Sequence, residues 1–193
     1  MESRQAMGVP VMDLVETIAG LDTNPTLHAA RLLVLISAFC GHGHKTAVEG
    51  LTKLAKLDFL LRYPVMLERA LIAKGCSIRE VGIQDHERRS VESEMVRYRF
   101  GPWDHRYREF LNILVGKGLV AVGVEGRTVL ITPTENGLRL ASDLKERPEF
   151  QDYARRSSLL QRHFDQQATT LMRFIYETFP EVVSLRSNKS ISI

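Results

Sequence analysis

The sequence is poor in the features that mark secreted scaffolds, membrane proteins and most hydrolases. It has two cysteines, Cys40 and Cys76, in 193 residues. Two thiols cannot make a disulfide framework in a chain of this length, so both are expected to be reduced. Long apolar runs are missing too. Leu32 to Ile36 extends only loosely to Cys40, whereas a membrane-crossing helix takes roughly 20 apolar residues. The start, Met-Glu-Ser-Arg-Gln followed by Asp13 and Glu16, lacks the basic-then-apolar order of an export signal. These absences lead to the expectation of a cytoplasmic protein. Charge of one sign is not in large excess either. A net charge of +3 permits contact with nucleic acid without requiring it.

Catalytic signatures are equally scarce. No Gly-x-Ser-x-Gly and no His-Glu-x-x-His occurs, which removes the nucleophile elbow and the zinc-protease helix. Gly41-His-Gly-His-Lys45-Thr46 has the flavour of a phosphate loop but fails on spacing. Bare backbone amides around a phosphate need glycine directly before the lysine and again five residues earlier, where this chain has His44 and Phe39. Cys40, His42 and His44 stand in one turn, but a structural zinc site wants four ligands and Cys76 is alone. Asp85-His86-Glu87 reads as a solvated loop rather than an acid–base pair. The expectation is no enzyme activity, no metal and no cofactor.

What the chain does contain is 44% hydrophobic and 25% charged residues, ordinary proportions for one well-cored domain. Val11, Leu14, Val15 and Ile18 give a weak helical pattern before Gly20. Asn24-Pro25 is a helix start, and from Leu27 to Phe39 apolar side chains occupy almost the whole circumference, which describes a buried helix. Val48 to Leu57 follows at near-helical spacing, with Asp58 in position to cap a short further turn. Pro64 opens a helix through Leu67, Ala70 and Leu71. These three helices suggest a helix-turn-helix bundle. Cys76 to Ser93 is a charged excursion, and Met95 to Phe100 alternates like a strand.

The strongest local signal comes next. Asp104 can cap a helix whose apolar residues Tyr107, Phe110, Leu111, Leu114 and Val115 make one stripe. Leu119 to Val124 is an apolar strand, Glu125-Gly126 a tight turn, and Arg127 to Thr132 the return strand. Thr132-Pro133-Thr134-Glu135 then reads as a capping box for a helix through Leu138, Ala141 and Leu144. Helix, hairpin, helix is the layout of a winged-helix module, with the hairpin as wing. Further on, Leu160, Phe164, Ala168, Leu171, Ile175 and Phe179 recur at spacings of three and four, opposite Arg162, Asp165, Gln166, Thr169 and Arg173. That pattern predicts a long amphipathic helix, ended by Pro180, with a tail from Asn188 that frays unless bound.

The fold class is therefore mainly α with a small β-hairpin: a winged-helix core plus a long C-terminal helix. Residues 1–147 form the winged-helix domain, with an N-terminal helical extension and a charged insertion near 76–95. Residues 148–193 form a C-terminal helical interaction arm. Two sets of residues are candidates for function. Arg97, Arg99, Arg106, Arg108 and Arg127 bracket the winged helix, and arginines at the start of a groove-reading helix and at a wing tip meet phosphate in DNA complexes. The same arginines would equally serve as a solvated face, since winged helices also dock proteins. Phe164, Leu171, Ile175 and Phe179 are the candidate partner-binding ridge. Trp103, the single tryptophan, is better explained as a core anchor than as a ligand platform.

Several stretches together resemble one family. Leu57-Asp-Phe-Leu-Leu-Arg-Tyr-Pro64 with Leu67-Glu-Arg-Ala70, then Val96-Arg-Tyr-Arg-Phe-Gly-Pro-Trp-Asp104, then Ile175-Tyr-Glu-Thr-Phe-Pro-Glu181 are similar to the middle component of bacterial ABC-three-component systems. The same small subunit occurs in Lamassu-type anti-phage and anti-plasmid operons. The likeness runs from about Leu57 to Leu185. It implies a non-catalytic accessory subunit that binds an SMC-like ATPase and an effector subunit, often a nuclease, with double-stranded DNA as a further candidate contact. On that resemblance the subunit restrains or regulates the effector of an antiviral defence complex. The competing reading is a stand-alone winged-helix transcription regulator that dimerises through the C-terminal helix. A weaker one is an enzyme built on the loop from Cys40 to Thr46.

Overall fold

The computed structural model describes residues 24–40, 47–84, 95–96, 106–181 and 190–191. Among them the chain is mainly helical, with seven helices and a small three-stranded antiparallel sheet. In order the elements are α1 (Pro25–Phe39), β1 (Val48–Glu49), α2 (Leu51–Arg62), α3 (Pro64–Ala73), β2 (Met95–Val96), α4 (Tyr107–Gly116), β3 (Val120–Glu125), β4 (Thr128–Pro133), α5 (Glu135–Lys145), α6 (Pro148–Phe164), α7 (Ala168–Thr178) and β5 (Ser190–Ile191).

The sheet order is β1-β4-β3. Helix, strand, helix, helix, then a hairpin whose second strand pairs back to the first strand, is the winged-helix arrangement. The hairpin is present but one residue later than the sequence reading: Glu125 belongs to β3 and faces Thr128 across a turn of Gly126 and Arg127, and Val120 faces Pro133 at the base. The first strand is a departure from the sequence reading. Val48 and Glu49 were expected to begin a helix; they pair with Ile131 and Leu130 instead. Gly50, at φ 93°, carries the chain out of the strand and into α2.

The three-helix group also differs from the expected one. Helix α1 packs against α2 and α4, as well as α5 and α6, while α3 lies against α2 and α7. The core helices of the winged module are therefore α1, α2 and α4. Helix α3 and the segment after it form an insertion between the second and third helices. Asp58 caps nothing: it lies inside α2, wholly buried.

Local chemistry sets the element ends. Asn24 Oδ1 accepts from the amides of Thr26 and Leu27 and starts α1, with Pro25 at the first helical position. After α4 the chain turns at Gly118 (φ 66°), where the Gly118 amide donates to Val115 O and the Leu119 amide to Leu114 O. The cap of α5 sits two residues later than the capping-box reading. Thr134, not Thr132, is the N-cap, its Oγ1 accepting from the Gly137 amide at 3.0 Å while Pro133 closes β4. The same hydroxyl donates to Gly118 O at 2.7 Å, which ties the start of α5 to the end of α4.

The predicted long C-terminal helix is two helices. α6 stops at Phe164 and α7 begins at Ala168. The carboxylate of Asp165, expected on an outer polar face, meets the ammonium of the buried Lys53 at 2.7 Å. That contact turns the chain so that α7 lies along α2. Nor is residue 148 a boundary between a domain and an arm. Phe150, Leu159, Leu160, Phe164, Leu171, Ile175 and Phe179 share one continuous apolar core with Leu32, Leu57 and Phe110. The tail is also engaged, because Ser190–Ile191 pairs antiparallel with Met95–Val96. The charged excursion is pinned where it can be followed. Val81 is buried, and its carbonyl accepts from Arg156 Nε at 3.2 Å. The sequence patterns before Thr23, the strand beyond Val96, the Asp104 cap and Trp103 lie outside the described residues. No described helix is long and apolar enough to cross a membrane.

Candidate functional site

The surface presented by α4 and the wing depends on a buried polar cluster behind it. Asp58 in α2 is entirely enclosed and accepts three hydrogen bonds. Arg31 of α1 donates from Nε at 2.8 Å and from Nη2 at 3.0 Å, a two-pronged pairing. Tyr107, the first residue of α4, donates its hydroxyl at 2.6 Å. His28 completes the group, with Nδ1 2.8 Å from Arg31 Nη1 and its ring 5.1 Å from that of Phe110. One carboxylate thus fixes α1, α2 and the start of α4 relative to each other.

The electrostatics are those of a locked pair. Burial alone would push the Asp58 carboxyl up, but the charge and hydrogen bonds of Arg31 hold it below the usual carboxylate range. Arg31 stays charged for the reciprocal reason: burial opposes its charge and Asp58 more than offsets that. Burial, then the neighbouring negative charge, drives the Tyr107 phenol well above its ordinary value, so it remains a donor. Asp58 therefore stays ionised, and Arg31 and Tyr107 stay protonated, near neutral pH. The cluster orients the start of α4.

With α4 fixed, its outward face carries Arg108, Glu109 and Asn112, then Val115, Lys117 and the wing. Arg108 and Arg127 are exposed, as the DNA reading requires. Arg106 is half-buried, and its guanidinium lies over the Phe110 ring at 5.6 Å, bracing the helix start. Arg97 and Arg99 lie outside the described residues. Among the described positions the basic residues of α4, the turn after it and the wing tip are Arg106, Arg108, Lys117 and Arg127, and the acidic ones are Glu109 and Glu125. The sequence reading missed the apolar part of this face. Val122 is 46% exposed and Val124 72% exposed. They lie on one side of β3, in register with Ile131 and Val129 of β4. Alternation alone showed them as strand residues but not that nothing in the described chain covers the outer end of the wing.

The proposed partner ridge does not survive as a surface. Phe164, Leu171, Ile175 and Phe179 all have 0% exposure. Phe179 stands edge-on to Phe59 of α2 at 5.7 Å between centroids, with the Arg69 guanidinium 4.9 Å from its ring. Phe164 packs on Phe174 at 5.6 Å, with the Lys74 ammonium 4.6 Å from its centroid. The stripe is consumed within the chain because α2 and α3 bring their own apolar faces to meet it.

Among the described residues, no group of three or more His, Cys, Asp or Glu side chains is placed to hold a metal ion. His42 and His44 lie outside them. Both cysteines are free thiols, and burial pushes that of Cys40 up to about 11. Compared at a significant level with known proteins, the chain matches no family model, no curated protein and no solved structure.

Proposed function

We propose that this chain is a non-catalytic, cytoplasmic accessory subunit that uses the exposed end of its wing, together with α4, to dock onto a larger protein assembly. The carrying observation is the composition of that face. Val122 and Val124 stand uncovered on β3, Glu125 and Arg127 follow them directly in the chain, and the exposed residues of α4 and the turn after it, Arg108, Glu109 and Lys117, carry charges of both signs. A phosphate-tracking wing gains most from positive charge, whereas an apolar centre with a charged rim suits a protein partner. The resemblance to the middle component of ABC-three-component and Lamassu-type systems supplies the partner: an SMC-like ATPase, with an effector nuclease whose action the subunit restrains or regulates. Co-expression with the products of the adjacent genes, followed by copurification, tests this. A complex that includes a large coiled-coil ATPase, and that Val124→Lys disrupts without unfolding the chain, is the expected result. Absence of any complex would overturn the proposal.

A second reading keeps a specific observation in its favour. Arg108 and Arg127 are solvent-facing on the helix and wing that enter DNA in winged-helix regulators. That reading requires the isolated chain to bind duplex DNA, with affinity falling steeply as salt rises. Replacing Arg106 and Arg108 with Ala would then abolish binding. A salt-insensitive or undetectable interaction would leave the docking role alone.

A further inference from the structure

Away from the wing, two distant parts of the chain bring a thiol and an imidazole together. Cys76 follows the turn that ends α3, and His163 is the penultimate residue of α6. Cys76 Sγ lies 3.4 Å from His163 Nδ1. The thiol proton has one weaker alternative acceptor, Lys74 O at 3.8 Å. Lys74 brings a third group: its ammonium donates to the His163 carbonyl and rests over the rings of Phe164 and Phe174, at 4.6 and 5.4 Å. Desolvation lowers the affinity of that ammonium for its proton, and attraction to the Cys76 sulfur works the other way. A surface ion pair, Arg162 to Glu80 at 3.1 Å, joins the same two segments. The cluster is open on one side. Cys76 and His163 are half-buried, and Gly75, Ser77, Ile78 and Arg79 beside them are exposed.

We propose that Cys76 is a reactive thiol, with His163 as its base, and that it is a site of mixed-disulfide formation with low-molecular-weight disulfides. A cysteine held against an imidazole is the arrangement that generates a nucleophilic thiolate. His163 Nδ1 takes the Sγ proton. The Cys76 sulfur then attacks one sulfur of the incoming disulfide, forming a new S–S bond as the old one breaks. The departing thiolate collects the proton from the imidazolium, so each event consumes one disulfide and releases one thiol, with no other oxidant. The adduct ends the Sγ–Nδ1 contact between the α3 turn and the end of α6. The chain contains its own reference thiol. Cys40 is also half-buried, but burial holds its proton to about pH 11.

The test exposes the full-length chain to oxidised glutathione and assigns adducts to Cys76 or Cys40 by peptide mass spectrometry. At pH 7 Cys76 should react at least about tenfold faster than Cys40. His163→Ala should slow Cys76 roughly tenfold at pH 7, and by less than about twofold at pH 9.5, because a base matters less as the solution itself becomes more basic. His163→Gln, which keeps a hydrogen-bond acceptor but no base in this pH range, should behave like the Ala variant. It also serves if His163→Ala fails to fold. Equal rates for the two thiols, or a His163 effect that is the same at both pH values, would overturn the proposal.

Discussion

Replacing Lys56 with methionine should make this protein more stable at neutral pH. Lys56 sits in the middle of α2 with 1% exposure. Its ammonium has no hydrogen-bond partner among the described residues, and its one favourable contact is the face of Tyr176 at 4.9 Å. Burial moves its titration from an ordinary 10.5 down to about 8. At 1.36 kcal/mol per pH unit, that displacement puts the cost of the buried charge on the order of 3 kcal/mol. The sign follows from proton counting. Below about pH 8 the lysine is charged in both folded and unfolded chains, and the folded state bears the full cost. Between about 8 and 10.5 only the unfolded chain holds the proton, so stability rises with pH. Above 10.5 the penalty is gone. Methionine keeps the straight stem and removes the charge. Urea unfolding at pH 7 should therefore show Lys56→Met gaining roughly 1–3 kcal/mol over the parent chain, the ring contact being lost in exchange. The gain should shrink toward zero by pH 10.5. A variant that is less stable at pH 7, or whose advantage does not change with pH, would refute the reasoning.

Four further outcomes follow from the same packing. Asp58→Asn should cost about 3–5 kcal/mol, because it strands the buried Arg31 guanidinium; the double variant Arg31→Met, Asp58→Leu should recover most of that in chemical denaturation. In the parent chain the contribution of Asp58 is fully present above the ordinary carboxylate range and is lost as pH falls through its depressed folded value, so Asp58→Asn should flatten the acid limb of the stability profile. Gly137→Ala should lower the melting temperature, since a β-carbon there would run into the backbone carbonyl of Leu119; an unchanged melting temperature would show that α5 can shift away from the hairpin. Phe179→Ala should cost roughly 3–5 kcal/mol by calorimetry or urea titration, as a core residue does, rather than leaving stability intact as a docking residue would.

The helix–hairpin–helix unit was legible in the sequence because each part is specified locally. The stripe from Tyr107 to Val115, the hairpin glycine Gly126 and the glycine after α4 each act over one or two helical turns or across one hairpin. The third strand was not legible. Val48 and Glu49 are too few to show a period, and only the open edge of β4 makes them a strand. The pairing of Arg31 with Asp58 was not legible either, because its halves are 27 residues apart and Asp58 shares α2 with other charged residues, Lys53 and Lys56. The site was half legible. Exposed Arg108 and Arg127 were marked by type and position, but the uncovered state of Val122 and Val124 depends on how far the wing extends past the helices.

By itself the sequence determined the helical class, the wing and the apolar stripes, because periodicity, caps and turn residues act between near neighbours. Tertiary structure alone decided which stripes meet each other. It closed Phe164 to Phe179 against α2 and α3, bent the chain where Asp165 reaches Lys53, and set Asp58 between Arg31 and Tyr107. An amphipathic pattern states that a face needs cover; whether its own chain or another supplies that cover is fixed only when distant segments come into contact.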